Sequence, residues 1–181
     1  MNGRQMGGFI GAVGGLSFVL ANAGALPGVL VLRVAGVAAF VALLAMLILR
    51  PPPAPPEPSP GAIRVYWACV AGEIAALPLG AAGFRALDQT DLVPAWVVLV
   101  VGVHFVPFAS AFRLPMFRWL GITMILVALS GMAVTLAGVD EGARAAAAAA
   151  GVVLFGAVYA GSRAHSSPAA AAETRAGVRR R

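Results

Sequence analysis

Residues 92–112 read LVPAWVVLVVGVHFVPFASAF, a run with one histidine, no formal charge, and Arg113 immediately after it. A helix needs about 20 predominantly apolar residues to cross the hydrocarbon core of a bilayer, so this stretch predicts a transmembrane span. Working outward, five further apolar runs fall at 7–26, 28–49, 65–84, 119–139 and 143–160. The run at 143–160 is short and alanine-heavy. Residues 145–150 are all alanine, and only Val152, Val153, Leu154, Phe155 and Val158 supply large apolar side chains. It is kept as a span because five crossings would put the basic C-terminal tail on the wrong side of the membrane. The expected fold class is all-α: a polytopic transmembrane helical bundle of six spans within residues 1–160, followed by a disordered basic tail at 161–181.

Composition supports the same reading. The chain is 60% hydrophobic and only 11% charged, with a mean hydropathy of +0.90, whereas about a quarter of residues carry charge in soluble domains. All 13 basic residues are arginine. The net charge of +6 does not indicate nucleic acid, because all the arginines but Arg33 flank spans or lie in the tail, without interleaved aromatics. The single cysteine, Cys69, excludes an intrachain disulfide and any multi-cysteine metal site.

Arginine near span ends is retained in the cytoplasm. With an inside N-terminus, the inner segments hold Arg4, Arg50, Arg64, Arg113, Arg118, Arg163, Arg175 and residues 179–181, all arginine; the outer loops hold only Arg85 and Arg144. Asp88, Asp91, Asp140 and Glu141 fall outside, read as solvated loop charge in preference to a weak cation site. Both termini are therefore expected to be cytoplasmic. Every Trp and Tyr, namely Tyr66, Trp67, Trp96, Trp119 and Tyr159, lies near a span end, where amphipathic rings prefer the headgroup level. The first span, with Arg4 and the triplet Ala21-Asn22-Ala23, also has the outline of a cleavable signal sequence. Its glycine-rich composition, and the next span beginning directly after Pro27, favour a transmembrane hairpin instead.

Residues 51–60 contain seven prolines and are expected to form a stiff polyproline II connector on the cytoplasmic side. A docking peptide for a proline-reading domain is the alternative. In the tail, the three terminal arginines could lean on anionic lipid. Gly7, Gly11 and Gly15 recur at four-residue spacing, with Asn22 seven positions beyond Gly15 on the same helix face. That face is expected to be buried against another helix, since small residues let helices approach closely in lipid. Gly72, Ala76 and Gly80 repeat the spacing in the third span.

Three ionisable side chains lie inside spans: Arg33, Glu73 and His104. A charge in hydrocarbon costs about 2.5–3.5 kcal/mol on insertion scales for Arg or Asp, so each such group calls for a partner or a cavity. From the span limits, Glu73 is about 13 Å from the inner end and His104 about 18 Å from the outer end, both near mid-membrane, while Arg33 is about 7 Å below the outer surface. One reading makes Glu73 and His104 a protonatable pair lining a cavity, with Arg33 as counter-ion, used by a proton or a small charged solute. Pro78 and Pro107 each free a backbone carbonyl near these groups, and such carbonyls often line polar cavities. The other reading is an Arg33–Glu73 ion pair locking the second span to the third, with His104 hydrogen-bonded to a neighbour.

No pair of histidines suits a transmembrane haem, no helix carries two histidines around a glutamate, and neither a glycine-flanked serine nucleophile nor a phosphate-cradling loop occurs. The expectation is a non-enzymatic protein without cofactor or metal. It performs small-solute or proton-linked transport through a polar mid-membrane site, or else it is a scaffold or accessory subunit assembling with itself or a membrane partner through the glycine face of the first span.

The stretch Val101-Gly102-Val103-His104-Phe105-Val106-Pro107-Phe108, followed by Phe112-Arg113, resembles a segment of small uncharacterised bacterial membrane proteins. The resemblance covers one span and implies no activity. The lysine-free, alanine- and arginine-rich composition resembles that of high-GC, actinobacterial-like bacteria, which implies a bacterial plasma membrane.

Overall fold

Hydrocarbon offers backbone groups no water to bond, so an uncharged apolar run satisfies its own N–H and C=O groups by closing into a helix. The computed structural model describes residues 3–49 and 56–163, and there the regular structure is entirely helical. Helix α1 spans Gly3–Asn22, α2 Val29–Leu49, α3 Ala62–Ala86, α4 Val93–Ala111, α5 Pro115–Leu136 and α6 Gly142–Arg163. All six are long and apolar enough to cross a membrane. Arg50 with residues 51–55, half of the proline-rich connector, and most of the tail, 164–181, lie outside the described residues; residues 56–60 carry no helix.

Three of the connections share one chemistry. α3, α4 and α5 each end with the next residues bonding back to carbonyls three and five positions earlier: Asp88 to Arg85 and Gln89 to Phe84, Arg113 to Ser110 and Leu114 to Ala109, Gly138 to Thr135 and Val139 to Val134. The residue bonding three positions back sits in the left-handed region, at φ +54° for Asp88, +54° for Arg113 and +94° for Gly138. This arrangement satisfies carbonyls that a helix end leaves unpaired, and glycine adopts it most easily. Pro115 then starts α5 at a position where its missing N–H goes unused. The threonine hydroxyl of Thr135 accepts from Ala143 N at 2.8 Å, capping α6 from the neighbouring helix.

The helix order places Arg64, Arg113, Arg118 and Arg163 at one end of the bundle, and Asp88, Asp91, Asp140 and Glu141, with Arg85 and Arg144, at the other. Cross-contacts tie both ends. At the basic end Ser59 N and Oγ both donate to Ala111 O, at 2.8 and 2.9 Å; at the acidic end Arg144 Nη2 meets Asp91 Oδ1 at 2.9 Å. Asp91 is well exposed, as expected of a loop charge, and is paired with Arg144.

The short, alanine-heavy run, the most marginal of the six expected spans, forms the centre of the bundle. α6 is 22 residues long, longer than the expected run, and packs on α1, α2, α4 and α5. It contributes Ala147, Ala150 and Leu154 to a core with Val98, Leu120, Met124 and Ala128, and Phe155 and Val158 to a second with Val19, Leu43 and Leu47. Its side chains are small because neighbours press close on several sides. The crossings occur at glycines. A Cβ on Gly15 would come within 2.9 Å of Gly151 O, and one on Gly151 within 2.6 Å of Gly15 O. α4 and α5 meet in the same way at Gly102 and Gly121, and a Cβ on Gly131 of α5 would collide with Ala146 of α6. By contrast α3 packs on α4 and on the turn leading into it, with no substantial contact to the other long helices. Ile63, Trp67, Ile74 and Leu79 stand exposed on its outer side.

Candidate functional site

Because α3 leans on α4 alone, residues facing that helix meet a single wall, and the space beside the contact stays open. Glu73 is in the middle of α3 and His104 in the second half of the antiparallel α4, which brings the two to the same level. His104 Nδ1 lies 2.8 Å from Glu73 Oε2, with side-chain exposures of 15% and 27%. The nitrogen is shut off from solvent, and its N–H direction is not aligned on the oxygen, so this is a close polar contact and not a linear hydrogen bond. It becomes an ion pair when the imidazole carries a second proton.

The pair borders a groove of about 360 Å³ between α3 and α4, whose wall includes Cys69, Gly72, Ala76, Trp96 and Val103. Trp96 closes it toward the acidic end. The indole lies against Gly80, where a Cβ would collide with the ring, and Nε1 donates to Ala76 O at 3.1 Å. Phe84 meets the same ring edge-on at 6.0 Å. Toward the basic end, Phe108 lies 4.2 Å from the His104 ring and stacks on Tyr66 at 5.9 Å. On the lateral side the groove is open: Val103 is 54% exposed, and a Cβ added to Gly72 would touch nothing within 4 Å.

Arg33 is not part of this site. Its guanidinium lies beside Gly24, at the turn between α1 and α2, and no ion pair joins it to Glu73 among the described residues. Neither the counter-ion role nor a lock between the second and third spans is available, because α2 makes its substantial helix contacts with α1 and α6 instead of α3. The glycine face of α1 is divided. Gly11 meets Val158, and Gly15 meets Phe155 and Gly151, whereas Gly7 has nothing within 4 Å. Asn22 turns back onto its own helix, donating from Nδ2 to Phe18 O at 2.8 Å.

Trp96 lies in the first turn of α4, near a span end as expected, and its indole also bonds within the protein. The signal available was Gly80 in the third span, a gap that only a large ring on the facing helix fills. Among the described residues no cluster of three or more His, Cys, Asp or Glu side chains could hold a metal ion. Compared with protein-family models, with curated proteins and with solved structures, the chain matches none of them.

Proposed function

We propose that this protein is a non-enzymatic membrane transporter in which the Glu73–His104 pair exchanges a proton in step with the passage of a small solute. The observation that carries this reading is the 2.8 Å contact between an acid and an imidazole inside the spans, at the edge of a groove. A carboxyl and an imidazole in contact can share, take up and release a proton with little movement, and intramembrane ionisable groups commonly mark proton relays. α3 is the element suited to move: it packs on one long helix, and Pro78 within it leaves the Ile74 carbonyl without its helical donor. We place the protein in a bacterial plasma membrane with both termini in the cytoplasm, following the arginine distribution.

The test is proton movement in vesicles containing the purified protein and an entrapped pH-sensitive dye. Wild type is expected to dissipate an imposed pH gradient faster than empty vesicles, and Glu73→Gln and His104→Ala, inserted at equal levels, to fall to the empty-vesicle rate. Equal rates for wild type and both variants would remove the pair from proton conduction through the protein. The scaffold alternative is weaker, because Gly11 and Gly15, the surface it requires, already meet α6.

A further inference from the structure

Aromatic rings flank the groove beside Glu73 toward each end of the bundle, and its side is open. Trp96 with Phe84 stands at one end and Phe108 with Tyr66 at the other. The opening lies between Gly72 and the exposed Val103, on the flank of a helix with one long-helix neighbour. A molecule reaching the pair in this conformation comes out of the hydrocarbon. The wall it meets is apolar, and the polar feature it finds is a carboxylate with no arginine beside it. Arg33 is held at the α1–α2 turn, and the titratable side chains of α5 and α6 lie toward their ends, at Arg118, Arg144, Tyr159 and Arg163. On α3 itself Cys69 faces the groove, one turn from Glu73.

We infer that this groove admits a lipophilic amine laterally from the bilayer, its alkyl body lying along the apolar wall and its ammonium seated on Glu73. The inference rests on the proton-linked reading above and names the solute class for it. A protonated amine brings positive charge and N–H donors that can align on the carboxylate, whereas His104 gives Glu73 a close contact that is not a linear hydrogen bond. The exchange balances. The contact from protonated His104 to Glu73 Oε2 breaks, one from the ammonium N–H to that oxygen forms, and the proton carried by the imidazolium passes to water once movement of α3 opens the site. One cation enters as one proton departs, and no electron is transferred. The groove volume of about 360 Å³ lies within the range of small-molecule sites, about 300–1,000 Å³.

The experiment uses the full chain in lipid nanodiscs with Trp67→Phe and Trp119→Phe, both exposed positions, so that Trp96 alone reports. The probe is a brominated long-chain alkylamine, with the brominated alcohol of equal length as its neutral counterpart. The amine is expected to quench Trp96 saturably at concentrations at which the alcohol does not. Glu73→Gln should weaken its apparent affinity at least about tenfold, as expected on removing one charge-assisted hydrogen bond. Gly72→Phe should abolish quenching while leaving the fold intact, because its Cβ enters open space and the ring fills the groove. Equal quenching by alcohol and amine, or an unchanged affinity in Glu73→Gln, overturns the inference. A pH dye in weak buffer separates the two readings. Saturable amine binding without proton release upholds the lateral site and refutes the proton linkage, whereas proton flux in vesicles without amine quenching refutes the amine site alone.

Discussion

Trp96 illustrates how one side chain shapes the candidate site. Its ring occupies the space that a Cβ at Gly80 would need, and its indole N–H ends on Ala76 O, so it holds α3 against α4 one turn and more from Glu73. Trp96→Phe keeps most of the ring but removes the hydrogen bond, and is expected to lower stability by about 1 kcal/mol. Gly80→Leu forces the ring out and is expected to cost about 2 kcal/mol or more, moving Glu73 and His104 out of each other's reach. Thermal unfolding in detergent checks both, and equal stability of Gly80→Leu and wild type would contradict the close approach of the ring. At this same scale the sequence was readable only in part. Glu73 and His104 could be paired by depth alone, since both were near mid-membrane. Arg33 could not be excluded that way, because the length of its side chain left either direction open until the packing of α2 was known.

At the scale of elements, α6 illustrates how a run poor in large apolar side chains can form the most enclosed helix. Side chains removed by the alanine run are the ones that neighbours would have displaced, and the glycines on α1, α4 and α5 serve the same purpose at the facing surfaces. A comparison among glycines tests this. Gly15→Leu and Gly151→Leu, at the crossing of α1 and α6, are expected to cost about 3 kcal/mol or more, the upper range for overpacking a closed contact. Gly7→Leu and Gly156→Leu, where an added Cβ meets nothing within 4 Å, should change stability by less than about 0.5 kcal/mol. Yield of monodisperse protein and its thermal midpoint would both register the contrast. A uniform response at all four positions would contradict the assigned crossing. The four-residue spacing in α1 is plain in the sequence, but which of its members touch a neighbour depends on where α6 crosses.

For the whole molecule, charge separates the two ends of the bundle while adding little to its stability. Both partners of the Asp91–Arg144 pair are well exposed, at 49% and 40% of the side chain, and surface pairs of this kind contribute about 0–1 kcal/mol. Asp91→Asn combined with Arg144→Gln should therefore lower stability by less than about 1 kcal/mol, with the coupling obtained from the two single variants. Orientation is a stronger role for the arginines. In a Cys69→Ser background, Asp140→Cys is expected to react with a membrane-impermeant maleimide on intact cells, and Arg118→Cys only after the membrane is broken. The reverse pattern would invert the topology and with it the direction assigned to transport.

The sequence by itself determined that helices would form and roughly where they would lie, because length without charge, together with prolines and arginines at the boundaries, is a local property that lipid enforces segment by segment. It also placed an acid and an imidazole at similar depth, since depth follows from position along a span. Tertiary structure decided which spans touch: that α6 is central, that α3 stands against α4 with an open flank, and that Arg33 remains with the α1–α2 turn. Hydrocarbon solvates every apolar helix face about equally, so hydropathy cannot rank one neighbour above another. That choice falls to close backbone approach at glycine and alanine, whose fit exists only once two helices are set side by side.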